Sequence, residues 1–224
     1  MDAPRKGQFI TLEGGEGAGK STQAQMLAEK LESLRIEALV TREPGGSPGA
    51  EALRDVILSG KAALFGPAGE ALLFGAARID HVDRTIAPAL ARGAWVICDR
   101  FADSTRAYQG AAGKVEPALI ASLERVAVGE CRPDLTLILD LPVEKGMLRA
   151  AARRGASEKA DRFEREGVAF HRTLREAFLA IARAEPRRCA IIDADRPPRE
   201  VADAIWASVR ARLAGAFERQ VARR

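Results

Sequence analysis

Short apolar runs alternate along the chain with longer segments in which apolar residues recur at helical spacing. This alternation is typical of repeated strand–helix units, and it predicts an α/β fold built on a parallel sheet. Polar or glycine-containing turns follow the strand candidates, where strand ends could present side chains to a ligand. The predicted strands are 9–12, 38–40, 95–98, 135–139 and 190–192. The predicted helices are 23–34, 50–58, 70–91, 117–128, 142–153, 164–183 and 198–213.

Four prolines and one loop refine this pattern. Pro117, Pro142 and Pro198 suit the first turn of a helix, where the missing N–H costs no hydrogen bond. Pro88 is expected to bend or interrupt the long helix that contains it. The stretch 155–159 is small and polar with basic flanks, and it predicts a mobile loop between two helices.

Composition and charge narrow the class of protein. The 224 residues suit one domain, although length alone allows a second. The 35 basic and 31 acidic residues are interspersed and leave a net charge of +4, which is too mild to indicate a nucleic-acid partner. The three cysteines lack metal-ligand spacing and are expected to be reduced, and His81 and His171 are interpreted as surface or packing residues. Without a membrane-length apolar run or a visible signal peptide, we expect a cytoplasmic protein with no membrane partner.

The strongest chemical signal lies between the first predicted strand and the first predicted helix. Its spacing, Gly, four residues, then Gly-Lys-Ser, matches a P-loop. Glycines let backbone N–H groups approach a polyphosphate, and the helix N-terminus adds partial positive charge behind it. Lys20 would contact the outer phosphates, and the Ser21 hydroxyl would bind Mg²⁺. The alternative interpretation of the motif is a glycine-rich turn without a ligand. We therefore predict a nucleoside triphosphate site at Gly14, Gly15, Glu16, Gly17, Ala18, Gly19, Lys20, Ser21 and Thr22.

Two other strand ends carry charged residues. Arg42, in Thr41-Arg42-Glu43-Pro44-Gly45-Gly46, is either a phosphate clamp beside the P-loop or part of a plain Pro-Gly turn. Asp99 and Arg100 end the third strand, where P-loop proteins place the acid that holds Mg²⁺ or its water shell. The alternative there is a strand-end salt bridge. Once a P-loop is granted, the polar segment 101–110 fits a pocket wall better than a surface loop.

Two predicted helices carry candidates for contact with substrates. Phe74 and Arg78 are four residues apart and share a helix face, so both side chains could line one pocket. The ordinary alternatives are that Phe74 packs in the core and that Arg78 is solvated. A second helix runs into the mobile loop with a cluster of basic residues. Such a cluster is ordinarily interpreted as a solvated helix face. We favour the alternative that this segment is a lid, which brings an arginine to the phosphate being transferred. The arginines before the loop are Arg149, Arg153 and Arg154.

Together and in this order, the segments resemble the bacterial thymidylate kinases, a family of P-loop nucleoside monophosphate kinases. The resemblance runs from residue 9 to about residue 198. Its motifs are the P-loop with an internal acid, Thr41-Arg42-Glu43-Pro44-Gly45-Gly46, Phe74-x-x-x-Arg78, Asp99-Arg100-Phe101, Ser104-Thr105-x-x-Tyr108-Gln109-Gly110 and Asp161-Arg162-Phe163-Glu164. It implies a P-loop NTPase-type three-layer fold, with a five-stranded parallel sheet flanked by helices, a mobile lid at roughly 149–163, and usually a homodimer. It also implies Mg²⁺-dependent transfer of the ATP γ-phosphate to dTMP, giving dTDP and ADP on the route to dTTP.

The resemblance implies how dTMP is bound. Arg42 and Arg100 grip its phosphate, and Glu16 approaches the 3′-hydroxyl of the deoxyribose. Phe74 stacks on thymine and Arg78 donates to a base oxygen. The full set expected to contact dTMP is Glu16, Arg42, Phe74, Arg78, Arg100, Ser104, Thr105, Tyr108 and Gln109, with Tyr108 disfavouring a 2′-hydroxyl.

The resemblance also implies the groups at the donor and at the transfer point. Ser21 and Asp99 are the expected Mg²⁺ residues, and Arg149 and Arg154 are expected near ATP. Gly17 stands where some relatives carry an arginine, so the transition-state arginine is expected from the lid; which of its three arginines acts stays open. The expected catalytic residues are Lys20, Asp99, Arg100 and Arg153.

Four other functions are weighed against this one. A deoxynucleoside kinase would accept a neutral sugar hydroxyl, and Arg42 argues against it. A GTPase switch would use an Asn-Lys-x-Asp segment, and a transporter ATPase a Leu-Ser-Gly-Gly signature; the chain has no asparagine and lacks the second motif. A non-enzymatic ATP-binding module is disfavoured because the motifs resemble an intact catalytic set.

Overall fold

The structure is a computed structural model that describes residues 7–154 and 162–222. Five parallel strands form one sheet in it. All five predicted strands are present, and the predicted α/β fold with a five-stranded parallel sheet is confirmed. The strands are β1 (Phe9–Glu13), β2 (Ala38–Arg42), β3 (Trp95–Asp99), β4 (Leu135–Asp140) and β5 (Cys189–Asp193), in the spatial order β2-β3-β1-β4-β5.

The central strand β1 decides where charged side chains meet. It pairs with β3 on one side and with β4 on the other, so that Leu12 lies opposite both Asp99 and Leu137. Because all strands run in the same direction, their carboxyl ends share one edge, and the loops that follow β1, β2 and β3 emerge side by side. The P-loop, Arg42 and Asp99 are brought together at that edge.

Helices cover both faces of the sheet. They are α1 (Lys20–Ser33), α2 (Pro48–Leu58), α3 (Gly66–His81), α4 (Ala87–Arg92), α5 (Ala102–Thr105), α6 (Pro117–Val128), α7 (Val143–Arg154), α8 (Val168–Ala184), α9 (Pro198–Arg212) and α10 (Ala214–Ala222). A 3₁₀ turn (Lys61–Phe65) precedes α3, and wide π-helical segments follow α3 (Val82–Ile86) and α5 (Arg106–Ala112). The predicted helix 117–128 is found with the same ends as α6, and the other predicted helices are found with shifted ends. The predicted helix 70–91 is divided between α3 and α4, and α5 with its π-helical extension and α10 lie outside the predicted helices.

The prolines act mostly as expected. Pro117 and Pro198 open α6 and α9. Pro88 follows the π-helical segment that separates α3 from α4, because proline cannot donate the hydrogen bond of a regular helix. The expectation for Pro142 is wrong by one residue: α7 begins at Val143, and the Pro142 carbonyl accepts the hydrogen bond of the Gly146 N–H (3.0 Å). Pro142 therefore lies just outside the helix.

The hydrophobic core is split by the sheet into two layers. On one face, side chains of β1, β3 and β4 pack with α1, α9 and α10. The unpredicted α10 is held by aromatic contacts, since the Phe217 ring lies 4.8 Å from the ring of the fully buried Trp95. On the other face, Phe9 and Val96 pack against α4 in one cluster, and Ile138 packs against α8 in another. This sandwich is the expected three-layer arrangement.

The cysteines are reduced, and the described helices show no single membrane span. Cys98, Cys131 and Cys189 are all buried and free of disulfides. Within the ranges described, no single helix is both long and apolar enough to cross a membrane. The α2 helix and the helical stretch 61–92 meet that test only as a pair bent by 80°.

Candidate active site

A cavity of about 390 Å³ opens at the carboxyl edge of the sheet. The P-loop, the end of β3, α3, α5 and the last turn of α7 all contribute to its walls. The cavity therefore joins segments that are far apart in the sequence. Of the residues expected from the sequence, it is lined by Glu16, Gly17, Gly19, Lys20, Ser21, Thr22, Arg42, Phe74, Arg78, Asp99, Arg100, Ser104, Thr105, Tyr108, Gln109 and Arg153.

Some expected site residues lie elsewhere. Gly14 and Gly15 line a smaller cavity behind the P-loop, and Ala18 is buried in the core. Arg149 turns away, since its Nη1 donates to the Ala194 carbonyl oxygen at 3.1 Å. The Arg154 side chain lies outside the part of the chain that is described, as does the central part of the predicted lid, 155–161.

The P-loop connects the end of β1 to the start of α1. Gly14, Gly17 and Gly19 have positive φ angles, which only glycine adopts freely, and a Cβ at Gly17 would collide with the Gly146 carbonyl. Because α1 begins at Lys20, its first N–H groups point towards the cavity. A helix N-terminus at this position favours an anionic ligand.

The Lys20 ammonium folds back over the loop. Its Nζ donates to the carbonyl oxygens of Gly14 (3.2 Å) and Gly15 (2.8 Å). Burial and, after it, the nearby Arg100 charge lower the pKa of Lys20. An anion in the cavity would oppose both effects, so the lysine is suited to a phosphate.

Ser21 and Asp99 place two hard oxygen donors at the mouth of the P-loop. The Ser21 hydroxyl donates to Asp99 Oδ2 at 2.5 Å, which joins α1 to the end of β3. Mg²⁺ is usually held by one or two protein oxygens, with waters and substrate phosphates completing its shell. The donor set therefore fits a magnesium ion bound together with a polyphosphate.

Arg100, Glu16 and Tyr108 form the charged centre of the cavity. Arg100 Nη2 donates to Glu16 Oε1 at 2.5 Å, and the Tyr108 hydroxyl donates to the same oxygen at 2.9 Å. Although burial opposes ionisation, the charges of Arg100 and Lys20 lower the pKa of Glu16 to about 2. Arg100 has a φ of 69°, a conformation that is rare without glycine and that concentrates at functional sites. The carboxylate and the guanidinium are therefore both ionised and held in place.

The far end of the cavity is aromatic and more enclosed. Phe74 forms part of its wall, with its ring 6.3 Å from that of Phe163. Arg78 is almost fully buried; its Nε donates to Glu43 Oε2 at 2.8 Å and its Nη2 to Thr105 Oγ1 at 3.1 Å. This end suits a flat ring that carries a hydrogen-bond acceptor.

Two exposed arginines stand at the rim. Arg42 Nη2 donates to Glu51 Oε1 at 3.0 Å, and Arg153 Nη2 donates to Glu164 Oε1 at 3.4 Å. The Arg42 and Arg153 side chains are 54% and 66% exposed, so these ion pairs are weak and can be exchanged for a ligand's charge.

Four functional candidates were missed by the sequence reasoning. Glu43 lines the cavity, and so does Arg54, whose Nη1 donates to the Pro44 carbonyl oxygen at 2.5 Å. Glu13, at the end of β1, accepts the N–H groups of Phe101 (2.8 Å) and Ser104 (3.2 Å); burial, and then the Asp103 charge, raise the pKa of Glu13 to about 7. His81, interpreted as a surface or packing residue, is fully buried and hydrogen-bonded to Glu43. Two of these positions carried a signal in the sequence: Glu13 directly precedes the P-loop, and Glu43 lies in the motif Thr41-Arg42-Glu43-Pro44-Gly45-Gly46.

Comparisons with known proteins agree on one family. The sequence model of thymidylate kinase matches residues 12–205. A thymidylate kinase of Rhodopseudomonas palustris is 62% identical over 209 residues, which cover 93% of this chain and 90% of the relative. One from Bradyrhizobium diazoefficiens is 59% identical over 208 residues, or 93% and 91% of the two chains. The crystal structure of a thymidylate kinase from Ehrlichia chaffeensis matches with a TM-score of 0.73 and 30% identity, covering 91% of this chain and 98% of that one.

Replacement of Glu16 is expected to destabilise the protein in a pH-dependent way. A carboxyl with a lowered folded-state pKa contributes stability above its unfolded pKa, and that stability is lost as the pH falls towards the folded value. For a shift from 4.5 to about 2, the difference in unfolding free energy between the wild type and E16Q should be about 3 kcal/mol near pH 7 and about 1 kcal/mol near pH 3. Urea unfolding of the wild type and E16Q at both pH values measures this difference in unfolding free energy. An equal difference at the two values would contradict the Glu16–Arg100 pairing.

Proposed function

The chain belongs to the thymidylate kinase family, and from that membership we propose how its cavity transfers the γ-phosphate of ATP to dTMP, giving ADP and dTDP. One observation carries the proposal: a single cavity joins the P-loop lysine to Arg100 and, at its far end, to Phe74 and Arg78. A triphosphate at one end and an aromatic monophosphate at the other would thus meet at Arg100.

The donor end consists of the P-loop and the start of α1. We propose that the loop amides and Lys20 bind the β- and γ-phosphates, and that Ser21 and Asp99 hold Mg²⁺ with them. The ion, when bound, neutralises charge on the phosphates. The 2.5 Å contact of the two oxygen ligands supports this role. Arg149 lies against Ala194, after β5, and so is suited to the nucleoside side of ATP rather than to the transferred group.

The acceptor end lies between Arg100 and α3. We propose that Arg42 and Arg100 bind the dTMP phosphate, Phe74 stacks on thymine, and Arg78 donates to a base oxygen. The Tyr108 hydroxyl and the Glu16 carboxylate, 2.9 Å apart, form the polar wall that the deoxyribose would meet. The cationic rim at Arg42 favours an anionic acceptor over the neutral sugar hydroxyl of a deoxynucleoside kinase.

The chemistry requires charge compensation more than proton transfer. The second pKa of a phosphate monoester is about 6, so the acceptor oxygen is already a nucleophile at neutral pH. The obstacle is the repulsion between two polyanions, which Lys20, Arg42 and Arg100 would offset. Among the lid arginines, Arg153 lines the cavity, and we propose that it stabilises the equatorial oxygens in the transition state.

The activity is tested by offering ATP and Mg²⁺ with dTMP, dUMP, dCMP, UMP, AMP or thymidine separately and measuring ADP release. We expect dTMP to be preferred, and K20A and R100A to abolish turnover while the circular dichroism spectrum stays unchanged. R92A, at an exposed arginine that pairs with Glu37 away from the cavity, is the matched control and should keep wild-type activity. Preference for thymidine, or full activity of K20A, would refute the proposal.

The transition-state arginine is tested by two substitutions one helical turn apart. R153A should lower kcat about a thousandfold, the lower end of what such arginines contribute, with a smaller change in the KM for dTMP. R149A should leave kcat much closer to that of the wild type, because Arg149 points towards Ala194. Steady-state kinetics of both variants distinguish the roles of Arg153 and Arg149. Equal kcat values for R153A and R149A would contradict a transition-state role that is specific to Arg153.

We also propose that the protein is a homodimer. Leu72 and Ile79 share one face of α3, and Leu119 and Val126 share one face of α6, the helix that packs beside it. All four are exposed, Val126 to 73%, as are Leu64 and Phe65 in the 3₁₀ turn before α3. Exposed apolar side chains on two neighbouring helices form a candidate interface, and a second copy of the chain would bury them.

Sedimentation tests the dimer. V126E should convert the protein to a monomer, because a carboxylate at the centre of an apolar interface loses its hydration without gaining a partner. L148E changes an equally exposed leucine (71%) on α7 and should leave the mass unchanged. A wild-type protein that sediments as a monomer would refute the dimer.

A further inference from the structure

A buried chain of hydrogen bonds links the last turn of α3 to the segment after β2. His81 Nδ1 lies 3.0 Å from Glu43 Oε1, and His81 Nε2 lies 2.8 Å from Thr41 Oγ1. The other carboxylate oxygen of Glu43 accepts the hydrogen bond of Arg78 Nε. Arg78 in turn reaches Thr105 at the cavity wall. The histidine is thus connected to the base end of the cavity through one carboxylate.

The partners determine where the protons lie. An ionised carboxylate only accepts hydrogen bonds, so Nδ1 of His81 must carry a proton and donate it to Glu43. In the neutral ring, Nε2 then accepts the hydrogen bond of the Thr41 hydroxyl. His81 is fully buried and is not among the residues that line the cavity, so it acts on a ligand only through Glu43.

The backbone is built around this histidine. Gly46 has a φ of 87°, and a Cβ there would collide with His81 Nε2 and Thr41 Oγ1. The Thr85 hydroxyl donates to the Gly46 carbonyl oxygen at 2.8 Å, which joins the turn to the π-helical segment that follows α3. Close approach of backbone to ring fixes the imidazole plane, and with it the direction of the Nδ1–H bond.

The hydrogen bond from His81 decides how Glu43 can bind Arg78. Carboxylates and guanidinium groups favour a two-bond arrangement in which both oxygens accept from one arginine. Here Oε1 is occupied by the histidine, so Glu43 binds only Nε of Arg78. Nη2, on the same edge of the guanidinium as Nε, is thereby left to donate to Thr105. No atom of the described residues accepts a hydrogen bond from Nη1.

We propose that His81 is a positioning residue that acts through Glu43. It holds Arg78 so that the free N–H groups of the guanidinium point towards the base. Arg78 then selects a base that has a carbonyl oxygen where the guanidinium meets it. Arginine offers only donors, so thymine, with an oxygen at C4, is accepted, and cytosine, with an amino group there, is rejected. The inference rests on the proposed binding of dTMP at Phe74 and Arg78. Without the hydrogen bond from His81 to Glu43, both carboxylate oxygens accept hydrogen bonds from Arg78, and the guanidinium moves away from the cavity.

Two polar variants of similar size separate this role from packing. The amide of H81N can place an N–H near the position of Nδ1, whereas the amide of H81Q reaches towards Thr41. We expect H81N to resemble the wild type. H81Q should raise the KM for dTMP about tenfold, the order expected when a buried hydrogen bond to a charged group is lost. The preference for dTMP over dCMP, measured as the ratio of their kcat/KM values, should fall by a similar factor. The KM for ATP should not change.

A double-mutant comparison and a binding measurement complete the test. If His81 acts through Arg78, H81Q should have no further effect on the dissociation constant of dTMP in an R78M background, as titration calorimetry would detect. Should H81Q fail to fold, E43Q keeps the shape of the acid and should show the same loss of discrimination. H81N and H81Q with equal kinetics, or additive effects with R78M, would overturn the inference. A wild-type protein that does not bind dTMP would instead overturn the proposed function.

Discussion

The site depends on holding several cationic side chains close together and away from bulk water. Lys20, Arg78 and Arg100 are all largely buried at the walls of one cavity; the lost hydration of their charges opposes folding, and so does the repulsion between Lys20 and Arg100. Carboxylates compensate for these effects: Glu16 is bonded to Arg100 and Glu43 to Arg78. An anionic substrate supplies further negative charge, so the protein is arranged to gain electrostatic energy when its ligands bind. The acids that stabilise the free protein thus also orient the cationic groups that we propose bind the phosphates.

Backbone geometry at the sheet edge makes this concentration of charge possible. Parallel strands place the ends of β1, β2 and β3 side by side, and the P-loop glycines let the chain turn back over Lys20. Arg100 adopts a positive φ immediately after β3, where Phe101 and Ser104 donate their N–H groups to Glu13. That buried acid fixes the turn, so the strained arginine is stabilised by contacts that have no direct part in binding.

The two ends of the cavity differ in rigidity. At the base end, Arg78 is buried and held by Glu43 and Thr105, so a ring meets a preformed surface. At the rim, Arg42 and Arg153 are exposed; Arg42 pairs with the half-exposed Glu51, and Arg153 makes a long contact of 3.4 Å with Glu164. Under the proposed function, the buried end would recognise the base rigidly and the exposed rim would adjust to the phosphates, as suits an enzyme that admits two charged substrates and then excludes water.

The sequence by itself determined the architecture and the chemistry. Its five strands are short apolar runs bounded by turn residues, and the P-loop is recognisable because its glycines, lysine and serine act through local backbone geometry. Tertiary structure decided what depends on contacts between distant residues. Arg149 and Arg153, one helical turn apart, look alike in sequence, yet α7 directs one to Ala194 and the other to the cavity. Glu43 and His81 gain their roles from a contact across 38 positions, and α10 forms because Phe217 packs on Trp95. Local patterns carry no trace of such pairings, since the free energy that selects them arises only when the chain is folded.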